Sequence, residues 1–184
     1  MMKKHFLIIT LLLLLFAGGW LLSEESKPIP SKSYFDTAVD IIKKYEGLHQ
    51  ARHWPLVGYG HKVLPTDKFK RGKALTEAEA DRLLRADLSK LCAMYRSFGK
   101  DSLLLATLAY NIGHGAVNRS TVYKKLKADD RSIKDNYLSH CRYRGKVLSQ
   151  LQRRRTEEFE TLFIKEEKDK KVGISVNNSE SMIL

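Results

Sequence analysis

The chain has 184 residues, of which 43% are hydrophobic and 29% are charged, as expected for one globular domain with short tails. This composition excludes a wholly disordered chain, a collagen-like fibre and a protein of many membrane spans, and two cysteines are too few for a disulfide-rich scaffold or a four-cysteine zinc site. The formal net charge of +12 favours a polyanionic partner: nucleic acid, an anionic membrane or an acidic cell-wall polymer.

Residues 1–22 have the pattern of an export segment. Lys3 and Lys4 precede 17 uncharged residues, which include small residues at positions 17–19, and this is typical of a cleaved export signal. The same length also suits an uncleaved N-terminal membrane anchor. Both alternatives place the remainder outside the cytoplasm, which argues against nucleic acid as the partner, and both make residues 23–32 a polar linker.

The spacing of apolar residues predicts a mostly helical domain over residues 33–164, followed by a polar, disordered tail over 165–184. Ser33 is expected to cap the first helix and Gly47 to end it. Residues 48–73 are interrupted by glycines and prolines, which predicts turns and a small β-hairpin.

A long helix is expected next, because Thr76 and Glu79 have the spacing of a capping box. This helix is predicted to run to about Phe98, where Gly99 stops it. The following helix is apolar nearly all round, so we expect it at the centre of the core. Asp101 is expected to cap the central helix, and Gly113 and Gly115 are expected to end it. Further helices are predicted over Thr121–Lys127, 131–140 and about 148–164.

Three stretches carry candidate functional residues. Glu46 ends the first helix, a Gly-Tyr-Gly-His turn follows at 58–61, and Asn111 ends the apolar helix. The third stretch covers 142–148 and continues with the arginines at 153–155 and with Glu158. Each has a simpler explanation: a solvated charge for the glutamate, an amide that caps backbone for the asparagine, and a solvated face for the arginines. Consecutive helical residues point about 100° apart, so three arginines in a row do not form one patch.

The order of these motifs resembles the phage-type lysozymes, the endolysins of glycoside hydrolase family 24. The resemblance covers roughly residues 38–163 and implies an α+β, mostly helical, lysozyme-like fold, in which a small β-hairpin lobe and a helical lobe flank a glycan-binding cleft. It also implies a monomeric muramidase without cofactor or metal, which cleaves peptidoglycan glycan strands between N-acetylmuramic acid and N-acetylglucosamine. The motifs are Glu-Gly at 46–47, Gly-Tyr-Gly-His at 58–61, Ala-Tyr-Asn-Ile-Gly at 109–113 with Arg-Ser-Thr at 119–121, and Gly-Lys-Val-Leu at 145–148.

The resemblance also implies roles for single residues. Glu46 matches the general acid, which has to hold its proton until it protonates the glycosidic oxygen. Arg154, or its neighbour Arg153, matches an arginine that pairs with this glutamate, and His61 matches a supporting histidine. The residues expected to bind substrate are Gly58, Tyr59, Gly60, Asn111, Ser120 and Thr121.

One segment departs from the family pattern. The family usually has an aspartate shortly after the glutamate, whereas residues 48–56 are shortened and contain no Asp or Glu. His53 is the local candidate for the base that activates water, although its ring is as well explained by packing beside Trp54. Alternatively Glu46 acts alone, as in lytic transglycosylases. A further alternative is an inactive peptidoglycan-binding envelope protein of a conjugation or secretion apparatus.

The two cysteines allow two states. Export would place Cys92 and Cys141 in oxidising surroundings, where a disulfide between them is one alternative. The other is a pair of buried free thiols that pack as small apolar side chains.

Overall fold

The computed structural model describes residues 32–165, so the predicted export segment, nearly all of the linker and nearly all of the tail lie outside the described residues. Helices and two small hairpins confirm the predicted mostly helical α+β class. The helices are α1 Tyr34–Glu46, α2 Glu77–Met94, α3 Ser102–Ile112, α4 His114–Arg119, α5 Thr121–Lys127, α6 Lys134–Leu138 and α7 Ser149–Leu162. The strands are β1 Leu56–Val57, β2 His61–Lys62, β3 Arg142–Tyr143 and β4 Lys146–Val147, and 3-10 turns lie at Ala51–His53 and Arg96–Asp101.

Helix α1 begins and ends at its predicted caps. The Ser33 hydroxyl accepts the backbone N–H of Asp36 at 3.0 Å, which satisfies one of the free amides of the first turn. Gly47 ends the helix with a φ of +65°, a backbone conformation that glycine adopts without the strain of a side chain. These caps place Glu46 at the last position of α1.

The predicted hairpin is formed by β1 and β2, which pair antiparallel with Val57 opposite His61. His61 fastens this hairpin to α2, because its Nδ1 lies 2.5 Å from Oδ2 of Asp87 and its Nε2 lies 3.0 Å from Oδ2 of Asp67. Burial lowers the pKa of His61, but the hydrogen bonds and charges of the two carboxylates outweigh it and raise that pKa above its usual value.

Helix α2 starts at the predicted capping box of Thr76 and Glu79 but ends at Met94, not at Phe98. Tyr95 leaves the helix with φ −100° and ψ 16°, because its ring is buried in the core and its hydroxyl donates to Asn118 at 3.0 Å. The chain then forms the 3-10 turn.

The central position of α3 is confirmed, since residues 104–109 are all buried. Its predicted start is wrong in one respect: Asp101 makes no capping bond and instead accepts hydrogen bonds of 2.9 and 2.7 Å from Arg131. Its end is at Gly113, whose φ is +82°, whereas Gly115 lies inside α4, a helix that the sequence did not predict.

The C-terminal part differs most from the prediction. Helix α6 covers five residues instead of the predicted 131–140, because Arg131 is bound to Asp101 and Ser132 forms a turn with Asp130. The hairpin of β3 and β4 was not predicted. Helix α7 begins at Ser149 and ends at Leu162, close to the expected 148–164.

Both cysteines are free, so the disulfide is not formed and the alternative of two packed thiols is what the structure shows. Cys92 is half-buried on α2, where burial raises its thiol pKa, while Cys141 is buried just before β3. In residues 32–165, no helix combines the length and apolar character needed to cross a membrane.

Candidate active site

Glu46 is held at the end of α1 by one of its two carboxylate oxygens. Its Oε1 accepts hydrogen bonds from Nη1 of Arg154 at 2.6 Å and from Nδ2 of Asn111 at 3.4 Å. Its Oε2 has no hydrogen bond within the described residues and faces the hairpin turn, where a Cβ atom at Gly60 would lie 3.5 Å away. The side chain is 22% exposed. One oxygen is therefore fixed and the other is free beside the hairpin.

Behind Glu46 lies a buried network built on α7. Nε of Arg154 and Nη2 of Arg155 both donate to Oε1 of Glu158, at 2.8 and 3.0 Å. Tyr137 donates its hydroxyl to the other oxygen, Oε2, at 2.9 Å. Arg155 also donates to Oδ1 of Asn111 at 3.3 Å, which orients that amide with its Nδ2 toward Glu46. The last helix thus positions both partners of Glu46.

The charges of this network balance, with two guanidinium groups facing two carboxylates. Arg154 is 2% exposed and Arg155 and Glu158 are fully buried, so each charge depends on its partners. Burial acts to lower the pKa of Arg154, but Glu158 and Glu46 together raise it above its usual value. Arg154 therefore stays cationic beside Glu46.

The residues at 58–60 in the hairpin turn lie in different surroundings. Gly60 lies against Glu46, as expected for a site residue. Gly58 instead faces α2, where a Cβ atom would lie 3.3 Å from Cβ of Ala80. The expectation that the side chain of Tyr59 binds substrate is wrong, because it is 5% exposed and its hydroxyl points to Glu77 at 3.4 Å.

Ser120 and Thr121 have structural positions at the start of α5. The hydroxyl of Ser120 accepts the backbone N–H of Tyr123 at 3.2 Å, so it caps that helix. Thr121 is the first helical residue and is exposed. Within residues 32–165 neither makes a hydrogen bond to Glu46, and their expected contact with substrate stays a prediction.

His53 is exposed at the end of the 3-10 turn. Its Nδ1 accepts the backbone N–H of Gln50 at 3.0 Å, and its Nε2 lies 3.3 Å from Nε of Arg52. A neutral imidazole has one lone pair, and on either nitrogen that lone pair faces an N–H donor. No hydrogen bond joins His53 to Glu46 within the described residues. His61 is bound by two aspartates, Asp87 and Asp67, and its expected supporting role in the site stays a prediction.

The sequence placed Arg155 and Glu158 in a candidate stretch without giving them a role, and it did not identify Tyr137. The explanation of the arginines as a solvated face is wrong for Arg154 and Arg155 and holds for Arg153, which is exposed. A signal was present: Glu158 follows these two arginines by four and three residues, the spacings that bring helical side chains together. Among residues 32–165, no cluster of three His, Cys, Asp or Glu side chains is arranged to hold a metal ion.

Comparisons with known proteins identify the family of this chain. Residues 43–158 match the family model described as Phage lysozyme. The endolysin of Acyrthosiphon pisum secondary endosymbiont phage 1 is 34% identical over 104 residues, which cover 50% of this chain and 68% of that protein. The endolysin of Bacillus phage B103 is 29% identical over 145 residues, which cover 68% of this chain and 52% of that protein.

Two solved structures have the same fold. The endolysin from Escherichia coli O157:H7 phage FAHEc1 aligns with a TM-score of 0.57 at 23% identity, over 72% of this chain and 94% of that chain. The muramidase domain of SpmX from Asticaccaulis excentricus aligns with a TM-score of 0.59 at 26% identity, over 70% of this chain and 96% of that domain.

Proposed function

This chain belongs to the phage lysozyme family and is a lysozyme-type glycosidase that cleaves peptidoglycan, and we propose that it cleaves the bond between N-acetylmuramic acid and N-acetylglucosamine with Glu46 as the general acid. The observation that carries this proposal is the asymmetric environment of the Glu46 carboxyl group. Its Oε1 is bound by Arg154 and Asn111, and its Oε2 faces the turn at Gly60.

The free oxygen is the one suited to proton transfer. A general acid needs an O–H within hydrogen-bonding reach of the leaving oxygen, and only Oε2 lacks a donor within residues 32–165. Gly60 has no side chain, which leaves room beside Oε2 for the glycosidic oxygen. In the first step the proton moves from Glu46 to that oxygen, the bond from the anomeric carbon breaks, and positive charge develops on the sugar ring.

Arg154 and Asn111 would act on the same carboxyl group from the other side. They hold Oε1 in place, so Oε2 keeps its orientation toward the hairpin. After the proton has left, Glu46 is an anion, and the Arg154 guanidinium 2.6 Å from Oε1 stabilises it. We therefore assign Arg154 as a supporting residue and Asn111 as the amide that orients the acid.

A second candidate, a lytic transglycosylase, is favoured by the surroundings of His53. The imidazole lone pair faces the N–H of either Gln50 or Arg52, so His53 is poorly suited to take a proton from water. In the transglycosylase reaction the C6 hydroxyl of the muramic acid attacks the anomeric carbon instead of water. Its proton returns to Glu46, and a 1,6-anhydro sugar forms without a second catalytic group.

The cellular setting follows from the substrate. Peptidoglycan glycan strands lie outside the cytoplasm, so we propose that residues 1–22 export the domain or anchor it to the membrane. The chain would act as a monomer in the cell envelope, without cofactor. A reporter fused after Lys32 should be active only outside the cytoplasm, and a soluble cytoplasmic fusion would contradict this.

The experiment that tests the function is mass spectrometry of purified peptidoglycan after incubation with the chain. Products with a reducing N-acetylmuramic acid end would show hydrolysis, and 1,6-anhydro products would show transglycosylation. Cleavage at the reducing end of N-acetylglucosamine would overturn the proposed bond. A folded chain that binds peptidoglycan and releases no products would instead support the inactive, peptidoglycan-binding alternative.

A further inference from the structure

The unpredicted hairpin of β3 and β4 forms an exposed surface that the proposed reaction does not use. We call residues 142–148 the basic hairpin. Every residue in this range is exposed, including three large apolar side chains whose exposed fractions are 59%, 46% and 41%. The six side chains that define the surface are the cations Arg142, Arg144 and Lys146 and the apolar Tyr143, Val147 and Leu148.

The register of the hairpin mixes charge with apolar surface on both of its faces. Arg142 is directly opposite Val147, and Tyr143 is directly opposite Lys146. Side chains of directly opposite residues project to the same face, so each face carries one cation beside one apolar side chain. Neither face is therefore purely charged or purely apolar.

The turn places a further cation at the tip. Arg144 and Gly145 have φ values of +48° and +80°, the sign that a tight two-residue hairpin turn requires at both positions. The guanidinium of Arg144 lies 5.4 Å from the centre of the Tyr143 ring. The tip thus presents an aromatic ring and a cation together.

Within residues 32–165, these cations have no partner of opposite charge. Residues 136–156 contain no Asp or Glu, and in the part of the chain that the structure describes none of the three pairs with a carboxylate. The side chain of Arg142 donates to a backbone oxygen, that of Gly145, at 3.3 Å, which leaves its charge uncompensated. The surface is therefore free to meet an external anion.

We propose that the basic hairpin is a docking surface for an anionic phospholipid bilayer. Lys and Arg are attracted to anionic headgroups, tyrosine is enriched at the membrane–water interface, and apolar side chains gain from burial at the headgroup boundary. A purely anionic polymer would use the cations and leave Val147 and Leu148 in water. A bilayer accounts for both kinds of side chain.

The sequence adds a reason for a bilayer to be close. Residues 1–22 are predicted to enter a membrane, and residues 23–32 are predicted to link them to the domain. Ten extended residues span at most roughly 35 Å, so a domain that is still attached would remain near the bilayer surface. Docking of the basic hairpin would then fix which face of the domain is turned toward the membrane.

The test places a fluorescent reporter on the hairpin of the full chain. In a Trp20→Phe background, Tyr143→Trp is reconstituted with vesicles of phosphatidylcholine containing phosphatidylglycerol, and with the same vesicles carrying brominated acyl chains. We expect a blue shift of the added emission and quenching by bromine, both lost in pure phosphatidylcholine. The matched control is Met94→Trp, because Met94 is 51% exposed on α2 and should show neither effect.

Charge neutralisation provides the second arm. Each cation near an anionic bilayer strengthens association roughly fivefold, so Arg144→Gln with Lys146→Gln should lower the ratio of bound to unbound hairpin roughly 25-fold. The control, Lys124→Gln with Lys127→Gln on α5, removes the same charge and should leave that ratio within about twofold. Unchanged thermal unfolding would show that both variants are folded.

Four results would overturn the proposal. Two come from fluorescence: equal responses of the reporters at positions 143 and 94, or an equal response of the Tyr143→Trp reporter to vesicles with and without phosphatidylglycerol. The third is an unchanged ratio of bound to unbound hairpin after neutralisation of its charges, and the fourth is a response of the Tyr143→Trp reporter to soluble peptidoglycan fragments with none to vesicles. The last would assign the basic hairpin to the cell wall. None of these measurements depends on catalysis, so their outcome is independent of the proposed function.

Discussion

Replacing Glu158 by glutamine should destabilise the fold more than the same change at its neighbour Glu157. The carboxylate of Glu158 is fully buried and accepts three hydrogen bonds, from Arg154, Arg155 and Tyr137. Glutamine keeps the size of the side chain but removes its charge. Arg154 would then keep Glu46 as its remaining carboxylate, whereas Arg155 would keep only the amide oxygen of Asn111.

The expected loss follows from this burial. Breaking a buried ion pair by removal of one partner costs about 3–5 kcal/mol, because the other charge stays buried without compensation. The neighbouring Glu157 is a matched control, since its carboxylate is also hydrogen-bonded, by Lys44 and by the hydroxyl of Tyr45. It lies at the surface with 32% of its side chain exposed, where an ion pair contributes about 0–1 kcal/mol.

Urea unfolding followed by circular dichroism measures both variants. We expect Glu158→Gln to lose at least about 3 kcal/mol of unfolding free energy and Glu157→Gln to lose less than about 1 kcal/mol. Similar losses for the two variants would refute this reasoning, because only Glu158→Gln leaves buried guanidinium groups without full compensation. A variant too unstable to purify at 25 °C but folded at low temperature would support the larger loss.

Three further predictions concern the hairpin lobe. The pKa of His61 is raised, so its bonds to two aspartates stabilise the fold fully below the unfolded pKa of about 6.5. The difference in unfolding free energy between the native chain and His61→Asn should therefore fall as pH rises through the folded pKa. A difference that grows with pH would contradict this. Gly60→Ala should lower turnover, because its Cβ atom would face Oε2 of Glu46. Gly58→Ala is also strained at positive φ and should lower stability, but it should leave the turnover of the folded fraction unchanged. Equal turnover in the two folded variants would refute the role of Gly60. His53→Ala should keep most of the activity, and a loss above about tenfold in a folded variant with reducing-end products would identify the imidazole as the base.

Local signals in the sequence predicted the first half of the fold well. The caps at Ser33 and Gly47 and the box of Thr76 and Glu79 depend on side chains within four residues of the backbone they bind, so the sequence alone carries that information. These caps place the end of α1, and therefore Glu46, at its observed position. The hairpin was predicted from its turn residues for the same reason.

Long-range contacts explain what the sequence did not predict. Asp101 has the residue type of a cap, but Arg131, 30 positions later, binds it instead. Tyr95 ends α2 early because its ring is buried against elements that follow much later in the chain. Such competition between local and distant partners is invisible in a single sequence.

The candidate site shows the same difference between local signals and long-range contacts. Glu46 and Arg154 were given roles through the resemblance to a family, whereas Glu158 was noted in a candidate stretch without a role, although its spacing to two arginines was visible. The missing information was burial: on an exposed helix face the same spacing would give weak surface pairs. Only packing of α7 against α1 and α3 turns that spacing into the support for Glu46 and Asn111.

The most direct test of the central claim is the turnover of purified peptidoglycan by Glu46→Gln. Glutamine keeps the hydrogen bonding of Oε1 but has no acidic proton, so the release of soluble fragments should fall about 10²–10⁴-fold. The circular dichroism spectrum should match that of the native chain, since Glu158 still pairs with Arg154. A folded Glu46→Gln variant that releases fragments at the native rate would contradict the assignment of Glu46 as the general acid.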